Sequence, residues 1–331
     1  MKPRLLELLV CPACGEGLEL EATALDGAEV MEGALRCPRD GSRYPVSGGV
    51  PRFVADAGYA GSFGRQWNWF RTIQLDSRTG RGETLRAFTQ TTGWSDAELR
   101  GRLVLDAGVG AGRYAEVAAE LGAELVGVDL TTAVDAAWAN VGHRPRIHLL
   151  QADIFSLPFR RESFDHAYSI GVLHHTPDTR AAFAAVARTV RPGGSFAVYL
   201  YDAYGPGRRG PDLIRKLTTR LPLGLMWALS AIAVPLHYVY RLPLLGRLLR
   251  LLAPISPHPG WRWRWLDTFD WYTPRHQWKF LYPEVYRWYR DCGFGEIALF
   301  DGPIRMRGTK ARQRPQPEPA ARFAEAAAGV R

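Results

Sequence analysis

Residues 104–113 read Val104-Leu105-Asp106-Ala107-Gly108-Val109-Gly110-Ala111-Gly112-Arg113, and this stretch decides the fold. A short apolar run enters a turn with three glycines, and a helical pattern follows at 114–121. Glycine permits a tight turn and lets a ligand approach the backbone, because no Cβ stands in the way. Since many nucleotide-binding turns share such glycines, the stretch predicts a strand–loop–helix ligand site without naming the ligand.

Carboxylates follow the apolar runs around this turn. Asp106 precedes the first glycine, where it could meet a cationic ligand, and Asp129 is placed to accept hydrogen bonds from ribose hydroxyls. Farther on, Asp153 could accept from an exocyclic amine and Ile154 could cover a ring. A dinucleotide would seat its pyrophosphate at the helix N-terminus, and Asp106 would repel that anion. Charge therefore disfavours a dinucleotide-binding domain.

Apolar runs alternate with helical periodicity over residues 102–202, which is typical of a parallel α/β sheet. The predicted strands are 103–105, 125–128, 147–150, 166–169 and 195–200, and the predicted crossover helices are 114–121, 132–141 and 180–190. After an interruption, a helix at 283–292 and a strand at 296–300 resume the pattern.

The stretch 104–201 resembles the class I S-adenosylmethionine (SAM)-dependent methyltransferases, especially the group related to quinone-biosynthesis methyltransferases. The likeness extends over roughly residues 60–300 and includes a fourth-strand motif at 164–175 and a turn at 191–194. The resemblance implies an α/β fold with a Rossmann-like, seven-stranded, mostly parallel sheet, here joined to a small N-terminal β-ribbon and a helical insertion. It implies SAM as the cofactor, whose ammonium and sulfonium charges suit Asp106.

The resemblance also assigns the cofactor site. It implies that Asp106 and the glycines line the methionine end of SAM, that Asp129 holds the ribose, and that Asp153 with Ile154 holds the adenine. A second likeness, to a Phe-Gly-x-Gln-Trp motif of some bacterial methyltransferases, implies that residues 63–67 close over SAM as a lid. The expected cofactor-binding residues are Asp106, Gly108, Gly110, Gly112, Asp129, Leu130, Asp153, Ile154, Ser169, Gln66 and Trp67.

Two histidines follow the predicted fourth strand, at the sheet edge where ligands bind in such folds. Methyl transfer is an in-line displacement, so proximity supplies much of the catalysis and a base is needed only when the nucleophile must lose a proton. Either His174 or His175 could be that base, or the pair could shape the loop beside SAM. Further polar candidates are Tyr199, Tyr201, Asp267, Asp270 and Tyr272.

Paired cysteines mark the N-terminus. Cys11 and Cys14 form one pair, and Cys37 with Asp40 occupies the place of a second. The segment 5–54 resembles the small zinc-ribbon partner proteins of tRNA and protein methyltransferases, which implies structural zinc on these four residues. Three thiolates and a carboxylate are a poorer zinc set than four thiolates, and the cysteines could instead pack as small buried apolar groups. Either way the unit is expected to be structural.

Composition changes along the chain and predicts six units. They are a zinc-ribbon-like domain at 1–55, a helical N-terminal cap at 56–100, the SAM-binding core at 101–204, an apolar and basic helical insertion at 205–265, the completion of the core with a substrate loop at 266–310, and a disordered tail at 311–331. Four cysteines are too few for a disulfide framework, and no secretory signal is recognised, so a cytoplasmic protein is expected.

The insertion is informative about the substrate. Residues 221–240 carry no charge and are flanked by Arg220 and Arg241, while prolines and a histidine argue against a stable membrane span. We expect residues 213–256 to contact the inner face of the cell membrane peripherally, with arginines attracting anionic headgroups. A helical lid packed on the protein is the alternative. Both interpretations favour an apolar substrate.

The sequence therefore predicts SAM-dependent methyl transfer to a small apolar acceptor such as a lipid, quinone or related metabolite. The net charge of +9 also admits an RNA methyltransferase, but the basic residues cluster beside the apolar insertion rather than among stacking aromatics. Nucleic acid is thus the less favoured partner. A non-catalytic SAM-binding partner protein is a further alternative, and both a monomer and a homodimer remain open.

Overall fold

The structure, a computed structural model, describes residues 1–54, 58–204 and 209–312. An N-terminal sheet of four antiparallel strands, the ribbon, has the order β1-β2-β3-β4. One short helix precedes it, and the elements are α1 (Pro3–Leu6), β1 (Glu19–Asp26), β2 (Glu29–Arg36), β3 (Arg43–Ser47) and β4 (Val50–Pro51). The expected small β-ribbon is therefore confirmed.

Helices follow the ribbon and lead into the core. They are α2 (Gly61–Trp69), α3 (Asp76–Thr79), α4 (Glu83–Thr92) and α5 (Asp96–Leu99). Helix α5 begins at a capping box, in which the Ser95 hydroxyl accepts from the Glu98 amide and the Glu98 carboxylate accepts from the Ser95 amide. This cap directs the chain into the first strand of the core sheet.

The core sheet has seven strands in the order β10-β11-β9-β8-β5-β6-β7. The strands are β5 (Leu103–Ala107), β6 (Glu124–Asp129), β7 (Ile147–Gln151), β8 (Phe164–Ile170), β9 (Val190–Tyr199), β10 (Phe294–Phe300) and β11 (Arg305–Lys310). Strands β5 to β9 pair in parallel, and β11 pairs antiparallel with both of its neighbours. The predicted Rossmann-like, mostly parallel sheet is confirmed.

Helices cover both faces of this sheet, and successive strand residues point to opposite sides. Leu105 and Val126 belong to the apolar cluster that the core shares with the ribbon, whereas Val104 and Leu125 belong to the cluster on the other face. The crossover helices are α6 (Arg113–Glu120), α7 (Ala133–Val141) and α8 (Thr179–Ala187), and α14 (Tyr282–Asp291) precedes β10.

The ribbon is joined to the open edge of the core sheet beside β7. Arg52 forms a parallel bridge with Gln151, and the Phe53 amide donates to the Gln151 carbonyl at 2.8 Å. The Arg52 guanidinium also reaches Asp135 at 2.6 Å, and the buried Lys2 ammonium donates to the Gly142 carbonyl at 2.6 Å. Backbone pairing, an ion pair and a shared apolar cluster thus hold the two sheets together.

Five helices occupy the insertion and the segment after it. They are α9 (Arg209–Thr218), α10 (Leu223–Ala231), α11 (Ala233–Val239), α12 (Pro243–Leu252) and α13 (Trp261–Tyr272). Within the described ranges, no helix is both long and apolar enough to cross a membrane. The uncharged run 221–240 is divided between α10 and α11. Residues 313–331, most of the expected disordered tail, lie outside the described residues.

A close contact between the ribbon and α7 yields a stability prediction. Gly48 and Gly49 both have positive φ, but a Cβ on Gly49 would lie 2.3 Å from the Trp138 ring, whereas one on Gly48 would meet nothing within 4 Å. We expect Gly49→Ala to lower the free energy of unfolding by about 1–3 kcal/mol more than Gly48→Ala, because the ring must move. Urea unfolding of the two variants measures this. Equal midpoints would contradict the contact.

Candidate active site

A cavity of about 420 Å³ opens where β5, β6 and β8 end. The loop after β5 and the segment 129–131 form one wall, and helices α2 and α13 supply the opposite one. In a parallel sheet, the carboxyl ends of the strands are where ligands bind. The cavity therefore occupies the position that the sequence predicts for a cofactor.

Backbone conformation explains the glycines of the loop. Gly108 has a φ of +100° and Gly110 a φ of +52°, and a Cβ on Gly108 would lie 2.4 Å from Val172. Both line the cavity. Gly112, with a φ of +87°, does not line it, and a Cβ there would approach Val141 at 2.9 Å. Gly112 thus serves helix packing rather than the cavity surface.

Asp129 holds the loop in place. Its carboxylate accepts from the Gly110 amide at 3.0 Å, and from the Thr131 amide and hydroxyl at 2.9 and 2.7 Å. Burial raises the pKa of this carboxyl, while the Thr131 and Gly110 hydrogen bonds oppose the rise. Asp129 and the adjacent Leu130 line the cavity, as expected of ribose-binding positions.

Asp106 lies behind the loop and does not line the cavity. It is buried, and the Tyr168 hydroxyl donates to its carboxylate at 2.9 Å. Burial is the main cause that raises its pKa to about 8, while the Tyr168 hydrogen bond opposes the rise and the nearby Asp129 charge adds to it. A cation placed over the loop would favour the ionised carboxylate. Direct contact between Asp106 and SAM stays a prediction.

Only some of the remaining residues expected to bind SAM lie at the cavity surface. Ile154 lines the cavity, but Asp153 does not, and its carboxylate accepts from the Phe155 amide at 3.0 Å. Ser169 is buried away from the cavity surface and donates to the Ala107 carbonyl at 2.7 Å. Asp153 and Ser169 therefore have structural partners in this state, and their contact with a ligand stays a prediction.

The α2 wall contributes Gln66 and Trp67. Gln66 is fully buried, its amide nitrogen donates to Asp270 at 3.1 Å, and its Oε1 is buried with no hydrogen-bond partner among the described residues. The Trp67 ring would be 3.3 Å from a Cβ on Gly110. Since buried polar atoms are normally paired, the unpaired Gln66 oxygen is a candidate acceptor for a ligand donor.

The two neighbouring histidines occupy different environments. His175 lines the cavity, and its Nδ1 lies 2.8 Å from the His276 carbonyl. A carbonyl only accepts, so Nδ1 carries the proton and Nε2 has a free lone pair. Burial lowers the pKa of His175, and the charge of Asp270 opposes that effect.

His174 is buried behind His175 and does not line the cavity. Its ring stacks on Tyr201 with centroids 3.9 Å apart, and neither ring nitrogen has a partner within the part of the chain that the structure describes. Burial holds its pKa well below the usual range. His174 therefore packs beside the site, and of the two histidines only His175 faces the cavity.

Helix α13 supplies two carboxylates that the sequence ranked low. Asp267 accepts from the Ser256 hydroxyl at 2.9 Å, and burial raises its pKa to about 7, with Asp270 adding to the rise. Both line the cavity with Tyr199 and Tyr201, whereas Tyr272 donates to the Pro254 carbonyl at 2.8 Å and stays outside it. Sequence reasoning did not assign several other lining residues to the site, among them the polar Tyr59, Arg113 and Arg305.

A second cluster lies in the ribbon. The ligand atoms of Cys11, Cys14, Cys37 and Asp40 all lie within 4.8 Å of one another. The Cys11 thiol donates to Asp40 at 3.2 Å, and the Cys14 and Cys37 sulfurs are 3.5 Å apart. The structure thus brings together the four residues that the sequence predicts as a metal site.

Two family models match this chain. Residues 105–198 match the methyltransferase domain family, and residues 2–49 match the Trm112p-like proteins. The chain thus combines a segment similar to methyltransferase domains with an N-terminal segment similar to Trm112p-like proteins. Both resemblances drawn from the sequence are therefore confirmed.

Curated relatives match this chain in part. A ubiquinone biosynthesis O-methyltransferase from Paracidovorax citrulli is 37% identical over 108 residues, covering 31% of this chain and 45% of the relative. An uncharacterised methyltransferase from Mycobacteroides abscessus is 37% identical over 118 residues, covering 32% and 45%. The match thus spans less than half of each of these relatives. Among solved structures, the complex of the Haloferax volcanii Trm112 methyltransferase activator with a methyltransferase contains a chain that is 14% identical to this one. The match has a TM-score of 0.45 and covers 75% of this chain and 97% of that chain.

The unpaired oxygen of Gln66 yields a binding prediction. We expect Gln66→Leu to weaken SAM binding about tenfold, because one buried hydrogen bond is lost and Asp270 loses its donor. Isothermal titration calorimetry measures the affinity. Gln74→Leu is the matched control, since Gln74 also has a buried, unpaired Oε1 but does not line the cavity. Equal affinities for the two variants would contradict a ligand contact at Gln66.

Proposed function

We propose that this protein transfers a methyl group from SAM to a hydroxyl group of a small, largely apolar acceptor. The observation that carries the proposal is a single cavity lined by the glycine loop, by Asp129 and by the unprotonated face of His175. Relatives named as O-methyltransferases support the choice of an oxygen acceptor. Methyl transfer to oxygen is also the case in which a base helps most, because the hydroxyl must lose its proton.

The residues of the chain fit SAM. Gly108 and Gly110 give the loop the positive-φ turns that shape this side of the cavity, and Asp129 offers carboxylate oxygens to ribose hydroxyls. The buried carboxylate of Asp106 lies beneath the loop, over which the positively charged SAM would bind. When bound, SAM supplies a methyl group already activated by its positive sulfur. The protein therefore has mainly to align the acceptor and remove its proton.

His175 is the base in this proposal. Its Nδ1 proton is held by the His276 carbonyl, so the tautomer is fixed with Nε2 ready to accept a proton. The lowered pKa keeps the ring neutral at pH 7. Asp270 raises the pKa of His175, and its charge would stabilise the imidazolium that forms when the acceptor loses its proton.

The walls of the cavity support an apolar acceptor. Phe63 and Trp67 from α2 line it together with Trp263, Leu266 and Trp271 from α13. Apolar side chains around a cavity lower the local dielectric and so strengthen the interactions of the few polar groups inside. Such a pocket, apolar with convergent polar groups, is typical of a small-molecule site and lacks the basic groove that single-stranded RNA requires.

A label-transfer experiment tests the proposal. The protein is incubated with methyl-labelled SAM and a cell extract, which is then separated into organic, nucleic-acid and aqueous fractions. We expect label in the organic fraction. The rate of labelling should be about 10²–10⁴ times lower for His175→Gln, since a general base contributes that factor. For His174→Phe, which keeps the stacked ring, the rate should change little.

The pH dependence provides a check on the same variants. A base works only when deprotonated, and the pKa of His175 is lowered from 6.5, so the rate should fall only below that pH. Label confined to nucleic acid would overturn the apolar acceptor and favour an RNA substrate. Binding of SAM with no transfer to any fraction would instead indicate a non-catalytic SAM-binding protein.

For the ribbon, we propose structural zinc on Cys11, Cys14, Cys37 and Asp40. Zinc binds thiolates at about 2.3 Å and carboxylates at about 2.0–2.2 Å in a tetrahedron. The 3.2 Å and 3.5 Å separations within the two halves of the cluster are compatible with ligands around one ion. Such an ion would cross-link the turn 11–14 to the turn 37–40 and so fix the ribbon that borders β7.

Metal analysis tests the zinc site. We expect one zinc per purified chain, and none in Cys14→Ala, with a thermal midpoint lower by about 5 °C or more, since each lost kcal/mol shifts a chain of this size by a few degrees. Cys292→Ala is the control, because this cysteine lies outside the cluster. If the wild-type protein contains no zinc and Cys14→Ala has the same thermal midpoint, the cysteines pack as small apolar groups.

A further inference from the structure

We propose that the outer face of the insertion docks on a membrane surface rich in anionic lipid. This outer face is defined by the exposed apolar side chains of helices α10 to α12 and the turn between α11 and α12. They are Leu225, Leu229, Ile232, Tyr238, Leu242, Leu244, Leu245, Leu248, Leu251 and Leu252. Monomeric soluble proteins rarely expose so many large apolar groups together unless they bind something there.

Helix α12 carries the clearest part of the face. At 100° per residue, its five exposed leucines fall within an arc of about 120°. Three of them, Leu244, Leu248 and Leu252, are 82%, 54% and 56% exposed. A helix packed in the usual way would turn such an arc toward the protein. Here the arc faces solvent, which is the arrangement of an interfacial helix.

Contacts on the opposite side keep α12 in this orientation. Gly246 is buried, and a Cβ there would lie 2.2 Å from the Tyr240 carbonyl. The Arg250 guanidinium donates to the same carbonyl at 2.6 Å, and the Tyr240 hydroxyl donates to the Ala253 carbonyl. Since only glycine fits at this contact, α12 cannot rotate its leucines inward without losing it.

Charge decides which partner suits this face. Residues 213–266 contain eight Lys and Arg and no Asp or Glu. Arg215 and Arg264 are buried and donate to backbone carbonyls, so they belong to the fold. The exposed remainder are Lys216, Arg220, Arg241, Arg247, Arg250 and Arg262. An apolar arc in a segment whose charged residues are all basic complements acyl chains bordered by anionic headgroups.

The same charge disfavours a second copy of this chain as the occupant. A twofold interface sets identical patches against each other, so the exposed arginines of both copies would meet, and residues 213–266 offer no carboxylate to pair with them. The exposed Trp261, at the start of α13, adds an aromatic of the kind that settles at the headgroup level.

The docking face is connected to the cavity through α13. One side of α13 lines the cavity with Leu266 and Asp270, and the other side packs on α10, where the Trp265 indole donates to the Trp227 carbonyl at 2.9 Å. Docking would thus hold the cavity one helix layer from the bilayer, where an apolar acceptor is dissolved. Delivery of the acceptor rests on the proposed methyl transfer, whereas docking itself does not.

Vesicle flotation of the full chain tests the docking. We expect binding to vesicles of equal parts phosphatidylcholine and phosphatidylglycerol, and much weaker binding to phosphatidylcholine alone. Arg241→Gln with Arg247→Gln should weaken binding roughly 25-fold, because each basic residue near an anionic surface contributes about a factor of five. Leu244→Glu with Leu248→Glu should abolish it. Leu25→Glu with Leu299→Glu, equally exposed but outside the insertion, should leave it unchanged.

Each variant is also measured for thermal midpoint, SAM affinity and mass in solution, so that misfolding and failure of the methyltransferase proposal are recognised separately. Wild-type protein that binds SAM but neither vesicle would overturn the docking. So would vesicle binding that survives the leucine substitutions. A dimer that these substitutions convert to monomers, without vesicle binding, would show that a second copy covers the face.

Discussion

The hydrogen bond from the Gly110 amide to the Asp129 carboxylate connects the loop after β5 to the end of β6, and the site depends on it. The same carboxylate accepts two bonds from Thr131, just before α7, so one side chain holds two neighbouring connections. Burying a carboxylate is costly, and three charge-assisted hydrogen bonds offset that cost. With the loop held, α6 and α7 start in fixed directions and the cavity has a rigid floor.

The parts of the fold that depend on local apolar runs were predictable from the sequence. Strands β5 to β9 are buried on both faces, so their residues are nearly continuous apolar runs. Strand β11 was not predicted, because only Met306 and Gly308 are buried and the other positions are charged or, at Thr309, polar. Strand β1 was missed for a similar reason, since most of its side chains are exposed. Edge and ribbon strands leave a weak pattern.

The candidate site likewise has a part that the sequence predicts and a part that it does not. The wall formed by the local motifs after β5 and β6 is the part of the cavity that the sequence predicts. The wall formed by α2 and α13 is assembled from distant segments, as when Gln66 meets Asp270, and no periodicity predicts which residues meet there. Nor could spacing separate His174 from His175. A single turn of 3₁₀ helix, Leu173–His175, directs one ring inward and the other to the cavity.

Strand β7 is the last strand of the core sheet, and all five of its residues are buried. An edge of this kind presents unpaired amides and carbonyls to any other chain. Here β4 and the residues that follow it cover the edge, and they belong to the same polypeptide. Because one polypeptide carries both units, each core is synthesised together with one ribbon. A covalent link also sets a high effective concentration that dilution cannot reduce, unlike the encounter of two separate subunits.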